Sequence, residues 1–81
     1  MRLPRDLSGP KLAKLLRTLG YEITRQTGSH LSLTTQQQGE HHVTVPNHSP
    51  LKIGTLAGVL ADVGQHFGRS REEMLKHLFG G

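Results

Sequence analysis

The spacing of apolar residues predicts a helix near the start of the chain. Its stripe has the i, i+3, i+4, i+7 pattern of an amphipathic helix and consists of Leu12, Leu15, Leu16 and Leu19. Ser8 or Gly9 is suited to cap this helix, and Pro10 suits its first turn. Gly20 is placed to end it.

Two further helices are predicted in the second half of the chain. The same stripe recurs at Leu56, Val59, Leu60 and Val63. We expect Thr55 to cap this second helix and Gly64 to end it. Ser70 and Glu73 have the spacing of a capping box, which predicts a short last helix with Met74, Leu75 and Leu78 on its apolar side.

Between the first two helices the pattern changes to alternation, which predicts three strands. They span residues 21–26, 30–35 and 41–45, and the polar turn 36–40 separates the last two. The connections are short, so the strands are expected to form an antiparallel meander. The predicted fold is α+β: a helix, a three-stranded antiparallel sheet covered on one face by helices, and a short C-terminal helix. A chain of 81 residues is expected to form a single domain over residues 1–81.

The register of the sheet follows from which residues must be buried. Leu31 and Leu33 are expected to face the helices together with Val43 and Val45. Tyr21 and Ile23 join this buried face if the first hairpin has an odd loop. Gly28 is expected to supply a left-handed conformation in that loop.

The opposite face of the predicted sheet is entirely polar. It carries Glu22, Thr24, His30, Ser32, Thr34, His42 and Thr44. His30 opens a strand on this face, directly after a turn. From periodicity alone, the favoured interpretation of His30 is an ordinary surface residue.

Composition narrows the possible functions. Ten Lys and Arg against six Asp and Glu give a net charge of +4, which favours a polyanionic partner but is also compatible with simple solubility. Cysteine is absent, which excludes disulfides, thiolate zinc sites and a cysteine nucleophile. No signal peptide and no stretch approaching the roughly 20 apolar residues of a membrane helix is visible, so we expect a cytoplasmic protein without membrane contact.

The histidines do not have the spacing of a metal site. Ligand pairs at i, i+4 on a helix or i, i+2 on a strand are missing, although His30 and His48 could approach each other. His41 and His42 are adjacent and must point to opposite faces. His66 and His77 are expected on the surface. No nucleophile elbow and no phosphate-binding loop occurs, so neither a metal nor a cofactor is expected.

A lone histidine in basic surroundings suits one chemistry in particular. RNA carries its own nucleophile, the 2′-hydroxyl, so an enzyme that cuts it needs only proton transfer and positive charge. Histidine serves as acid or base because its unperturbed pKa of about 6.5 is close to working pH. Lys52 is followed by Gly54 and Thr55 at a helix start, and such a helix N-terminus is suited to bind a phosphate. The alternative is that Gly54 and Thr55 merely cap the helix.

Several segments, in this order, resemble the HicA toxin family. They are Leu19-Gly20-Tyr21, Arg25 to His30, Val43 to His48, Lys52 to Leu56, and Leu60. The resemblance extends over roughly residues 8 to 79. It implies a fold similar to the double-stranded RNA-binding domain and the activity of an mRNA-cleaving toxin held inactive by a HicB antitoxin. It also implies that His30 of the Gly28-Ser29-His30 motif is catalytic.

The resulting hypothesis is a toxin of a type II toxin–antitoxin system that cleaves mRNA without a metal. Its expected RNA and phosphate contacts are Ser29, Arg25, Lys52 and Thr55, with Gly28 and Gly54 as structural residues. His48 is the candidate second proton-transfer group, with Ser32 as another. Two alternatives stay open: a non-catalytic module that binds double-stranded RNA, and a domain that binds only an acidic protein.

Overall fold

The computed structural model describes residues 3–80. Helix α1 (Gly9–Leu16) runs into a 3₁₀ turn (Arg17–Leu19) and is followed by strands β1 (Glu22–Gln26), β2 (His30–Thr35) and β3 (His41–Pro46). Helices α2 (Ile53–Phe67) and α3 (Arg71–Phe79) complete the chain. The strands form one antiparallel sheet in the order β1-β2-β3, which confirms the predicted α+β arrangement.

The buried face of the sheet lies where the alternation predicted it. Leu31 and Leu33 of β2 pair with Val45 and Val43 of β3, and all four are at most 5% exposed. They pack against the leucine stripes of α1 and α2 in one contiguous core. Each fully buried leucine contributes about 1.5–3 kcal/mol to stability, so this face largely determines the fold.

Strand β1 departs from the predicted pattern. Tyr21, just before it, is fully buried as expected, but Ile23 is 49% exposed, so its predicted burial is wrong. Ile23 does pair with Leu33 on the helix side of the sheet. The register then shifts by one residue at Thr24. Ile23 remains exposed because β1 is the outer strand of the sheet and α1 covers it only in part.

Two of the three helix starts are as predicted. The Ser8 hydroxyl accepts a hydrogen bond from the Lys11 N–H (3.1 Å), and Ser70 with Glu73 forms the complete capping box. The Ser70 N–H donates to the Glu73 carboxylate (2.9 Å), and this hydrogen bond is the main reason why the pKa of the Glu73 carboxyl lies below its usual value. Within residues 3–80, the helices are all too short or too polar to cross a membrane.

The predicted limits of α2 are wrong at both ends. The helix begins at Ile53 with Lys52 as N-cap, so Thr55 lies inside its first turn. It continues past Gly64 and ends at Gly68, which has the left-handed φ of 67°. Gly64 is needed for another reason: a Cβ there would lie 2.5 Å from the carbonyl oxygen of Arg69, where the chain turns toward α3.

His41 and His66 form a cluster at the end of the sheet remote from His30. Their rings stack with centroids 4.4 Å apart, and His41 lies within hydrogen-bond distance of the Tyr21 hydroxyl (2.7 Å) and Asp62 (3.2 Å). Burial, assisted by the Asp62 carboxylate, raises the pKa of Tyr21 to about 12. His66 lies in the last turn of α2, where it is half-buried by its contacts in this cluster.

Gly9 allows α1 to approach the loop after β3. Its N–H donates to the carbonyl of His48 (2.9 Å), and a Cβ at this position would overlap the carbonyl oxygen of Pro46. Both neighbouring groups are backbone, so they cannot move aside cheaply. The start of α1 is therefore in direct contact with the segment that carries His48.

We predict that Gly9→Ala lowers the free energy of unfolding by about 2 kcal/mol, the usual cost of overpacking. The matched control is Gly58→Ala in the exposed middle of α2, where nothing lies within 4 Å of an added Cβ. This control should be neutral or stabilise the protein by up to about 1 kcal/mol, through helix propensity. Urea unfolding measures the free energy of unfolding of both variants. Equal effects of the two substitutions would show that Gly9 does not make this close contact.

Candidate functional site

The hairpin between β1 and β2 is held by the hydroxyl of Thr27. Thr27 Oγ1 accepts hydrogen bonds from the N–H groups of Ser29 (3.3 Å) and His30 (3.0 Å). The Thr27 N–H donates to the carbonyl of His30 (2.9 Å) and closes the turn. This local arrangement, in which a threonine side chain replaces a backbone acceptor, fixes the backbone of His30.

His30 itself projects from the open face at the start of β2. Its side chain is exposed, and Nδ1 lies 3.1 Å from the Ser29 hydroxyl. The Asn47 N–H donates to the carbonyl of Ser29 (2.9 Å), which joins the hairpin to the loop after β3. The imidazole is therefore oriented from one side by Ser29, while its backbone is held by two loops.

A groove of about 470 Å³ lies beside His30. Its lining brings together residues from β2, the end of β3, the following loop and the first turn of α2: His30, Pro46, His48, Pro50, Leu51, Lys52 and Thr55. Four of the residues that the sequence singled out thus meet in one concave surface: His30, His48, Lys52 and Thr55. The two prolines and Leu51 give it a rigid apolar wall.

The N-terminus of α2 opens at this groove. Lys52 is its N-cap and makes no side-chain capping hydrogen bond, so the first-turn amides have no side-chain acceptor. Such amides, together with the helix dipole, favour an anion. Gly54 adds no side chain here, and nothing lies within 4 Å of the position its Cβ would take.

Arg25 lies outside the groove but on the same open face. The β-bulge at Thr24 shifts the register, so Arg25 pairs with Ser32, whereas strict alternation would have placed it on the helix side. Thr24 also remains on the open face, with its hydroxyl 3.0 Å from that of Thr34. The bulge therefore adds a cation to the surface that carries His30.

Hydrogen bonding separates the six histidines into two groups. In His41, His42 and His77 both ring nitrogens lie within hydrogen-bond distance of other protein groups. His66 donates to the carbonyl of Gln37 (2.9 Å), and its ring is stacked on His41. Within residues 3–80, by contrast, His30 Nε2 and both nitrogens of His48 have no protein partner.

The structure of the hairpin turn differs from the one that the sequence predicted. Gly28 does not have a positive φ, so its predicted left-handed conformation is wrong, and the Thr27 hydroxyl stabilises the turn instead. The role of Thr27 was missed, although a threonine at the start of a short turn is a known signal for such a hydrogen bond. Ser32 lies on the open face and does not line the groove.

The candidate site does not assemble a set of metal ligands. In the part of the chain that the structure describes, no group of three or more His, Asp or Glu side chains is placed to hold a metal ion. The groove instead combines two imidazoles, one ammonium group and an open helix N-terminus. These groups are suited to an anionic substrate and to proton transfer.

This fold and this groove define a small α+β domain with a solvent-exposed histidine in a basic site. The family model described as "HicA toxin of bacterial toxin-antitoxin" matches residues 9–65, and the chain belongs to this family. The match includes the Thr27 hairpin, His30, His48 and the first turn of α2. No match was found among curated proteins or among solved structures.

We predict that Thr27→Val loosens the hairpin, because the amides of Ser29 and His30 lose their common acceptor. The loss of a hydrogen bond of this kind costs about 1 kcal/mol, so exchange of these two amides should accelerate by about fivefold or more. Amide hydrogen exchange followed by NMR measures this directly.

The control for this experiment is Thr44→Val, on the open face of β3. Thr44 is exposed, and within residues 3–80 its hydroxyl makes no hydrogen bond. Exchange at Ser29 and His30 should be unchanged in this variant. Unaltered exchange in Thr27→Val, or equal acceleration in both variants, would show that the hydroxyl does not hold the turn.

Proposed function

We propose that the protein is a metal-independent endoribonuclease toxin that cleaves mRNA. The observation that carries this proposal is the free Nε2 of an exposed His30 in the same groove as His48 and Lys52. The family supports the toxin role. Because mRNA is the substrate, the activity belongs in the cytoplasm, without a membrane or a small-molecule cofactor.

The first step assigns His30 as general base. Nδ1 lies 3.1 Å from the Ser29 hydroxyl. In the tautomer that this step requires, Nδ1–H donates to the Ser29 oxygen, and the lone pair on Nε2 takes the proton of the ribose 2′-hydroxyl. The 2′-oxygen then attacks the adjacent phosphorus. The bond from phosphorus to the 5′-oxygen breaks, and the products are a 2′,3′-cyclic phosphate and a 5′-hydroxyl end.

The second step needs an acid for the departing 5′-oxygen. His48 is suited to this role because it lines the same groove and its ring nitrogens have no protein partner within residues 3–80. A protonated His48 would give its proton to that oxygen as the bond breaks. Ser32, the other candidate from the sequence, lies away from the groove and is less suited.

The extra negative charge of the transition state requires positive partners. Lys52 and Thr55 line the groove, and Gly54 lies between them in the first turn of α2. The Lys52 ammonium group and the amides of this turn are suited to contact the phosphate. The Thr55 hydroxyl adds a further donor. Arg25 on the open face is placed to bind a neighbouring phosphate of the chain, which would contribute affinity rather than chemistry.

A HicB-type antitoxin is the proposed protein partner. HicA toxins belong to toxin–antitoxin systems, so this chain is expected to be inactive when its antitoxin is bound. His30 is exposed, and covering the groove would be sufficient to exclude RNA from it. This inhibition by masking requires no change in the fold.

The direct test uses purified wild-type protein, His30→Gln and RNA in excess EDTA. We expect the wild type to cut RNA under these conditions and His30→Gln to be slower by about 10²–10⁴-fold, the usual contribution of a general base. RNA affinity should be similar in both. Electrophoresis measures cleavage, and a binding titration measures affinity.

His42→Gln is the matched control, because His42 lies on the same open face with both ring nitrogens within hydrogen-bond distance of protein groups. It should cut at the wild-type rate. Loss of wild-type cleavage in EDTA would rule out the metal-free mechanism. Binding without any cleavage by the wild type would instead indicate the non-catalytic module for double-stranded RNA.

A further inference from the structure

A second groove, of about 270 Å³, lies between α1 and β1 on the helix side of the sheet. Its apolar part includes Ala13 and Leu31, which are each only 2% exposed, and Ile23, which is 49% exposed. Lys14 and Arg17 of the first helical segment also line it. The proposed ribonuclease reaction uses none of these five residues.

The outer edge of β1 adjoins this groove. Within residues 3–80, β1 pairs only with β2, and all five of its residues are exposed. The edge is therefore open to another strand, whose backbone would pair with β1 while its alternate side chains enter the groove. The bulge at Thr24 interrupts the edge, so the added strand would be short.

The charge beside Ile23 favours an acidic partner. In the described part of the chain, neither Lys14 nor Arg17 has a carboxylate oxygen within 4.0 Å. Glu22 lines a neighbouring pocket together with Arg17 and Ile23, but it does not line the groove itself. RNA would also be attracted by two cations, but a phosphate cannot cover an apolar floor and has no donor for the carbonyl groups of the strand edge, whereas a peptide strand supplies both donors and acceptors.

We propose that the groove between α1 and β1 is a docking site for an extended segment of a partner protein in which acidic and apolar residues alternate. An apolar side chain of this segment would cover Ile23, and a carboxylate would pair with Lys14 or Arg17. The site is separate from the His30 groove and does not depend on the proposed ribonuclease activity. It lies next to the Thr27 hairpin through Gln26, so a bound partner would reach the hairpin directly.

The probe is a synthetic eight-residue peptide in which glutamate and valine alternate, titrated into the ¹⁵N-labelled full chain. We expect saturable NMR shifts in α1 and β1, with a Kd below about 1 mM, as for a weak transient contact. Ile23→Thr and Arg17→Glu should each weaken binding by about fivefold or more. The matched controls Ile53→Thr and Lys11→Glu change an exposed isoleucine and a basic α1 residue that do not line the groove, and should bind normally.

Several outcomes would overturn this proposal. These are the absence of shifts at millimolar peptide, equal binding of a lysine–valine peptide, or unchanged affinity in both groove variants. A uridine oligonucleotide that shifts the same α1 and β1 residues and displaces the peptide would show an RNA surface instead. RNA cleavage by Ile23→Thr should equal that of the wild type, so this test is independent of the proposed reaction.

Discussion

The two-sidedness of the sheet is the constraint on which the rest of this structure depends. Leu31 and Leu33 of β2 must face the helices, because burial of such side chains supplies most of the stability of a small domain. Since side chains alternate along a strand, the residues between them must point to the other face. His30 is placed in solvent by the same alternation that builds the core, and a register shift of one residue would destroy both.

Local contacts around the hairpin then fix the orientation of the exposed His30. The Thr27 hydroxyl fixes the hairpin, and the Asn47 amide ties the hairpin to the loop after β3. Gly9 packs α1 against that same loop, which carries His48. These contacts bring together the groove residues from the hairpin, the loop after β3 and α2, although the domain has only a small hydrophobic core. The proposed chemistry needs little else, because RNA supplies its own nucleophile.

Periodicity was sufficient to predict the helices, the strands and the two faces of β2 and β3, because these depend on the burial of apolar side chains. Periodicity did not predict features that depend on the local backbone conformation. Alternation assumes that no residue is inserted, so the bulge that exposes Arg25 on the open face was not foreseen. Gly64 was interpreted as a helix end, whereas its lack of a side chain allows close contact with the carbonyl of Arg69. The resemblance pointed to His30, but the shared groove with His48 depends on tertiary structure.

We infer that a single exposed imidazole, that of His30, carries the toxic activity. The most direct measurement compares the growth of bacterial cells that express either the wild-type chain or His30→Ala at equal protein levels, with total RNA analysed in parallel. We expect growth arrest and mRNA loss with the wild type, and normal growth with stable transcripts for His30→Ala. Equal arrest and equal RNA loss with a folded His30→Ala variant would contradict it.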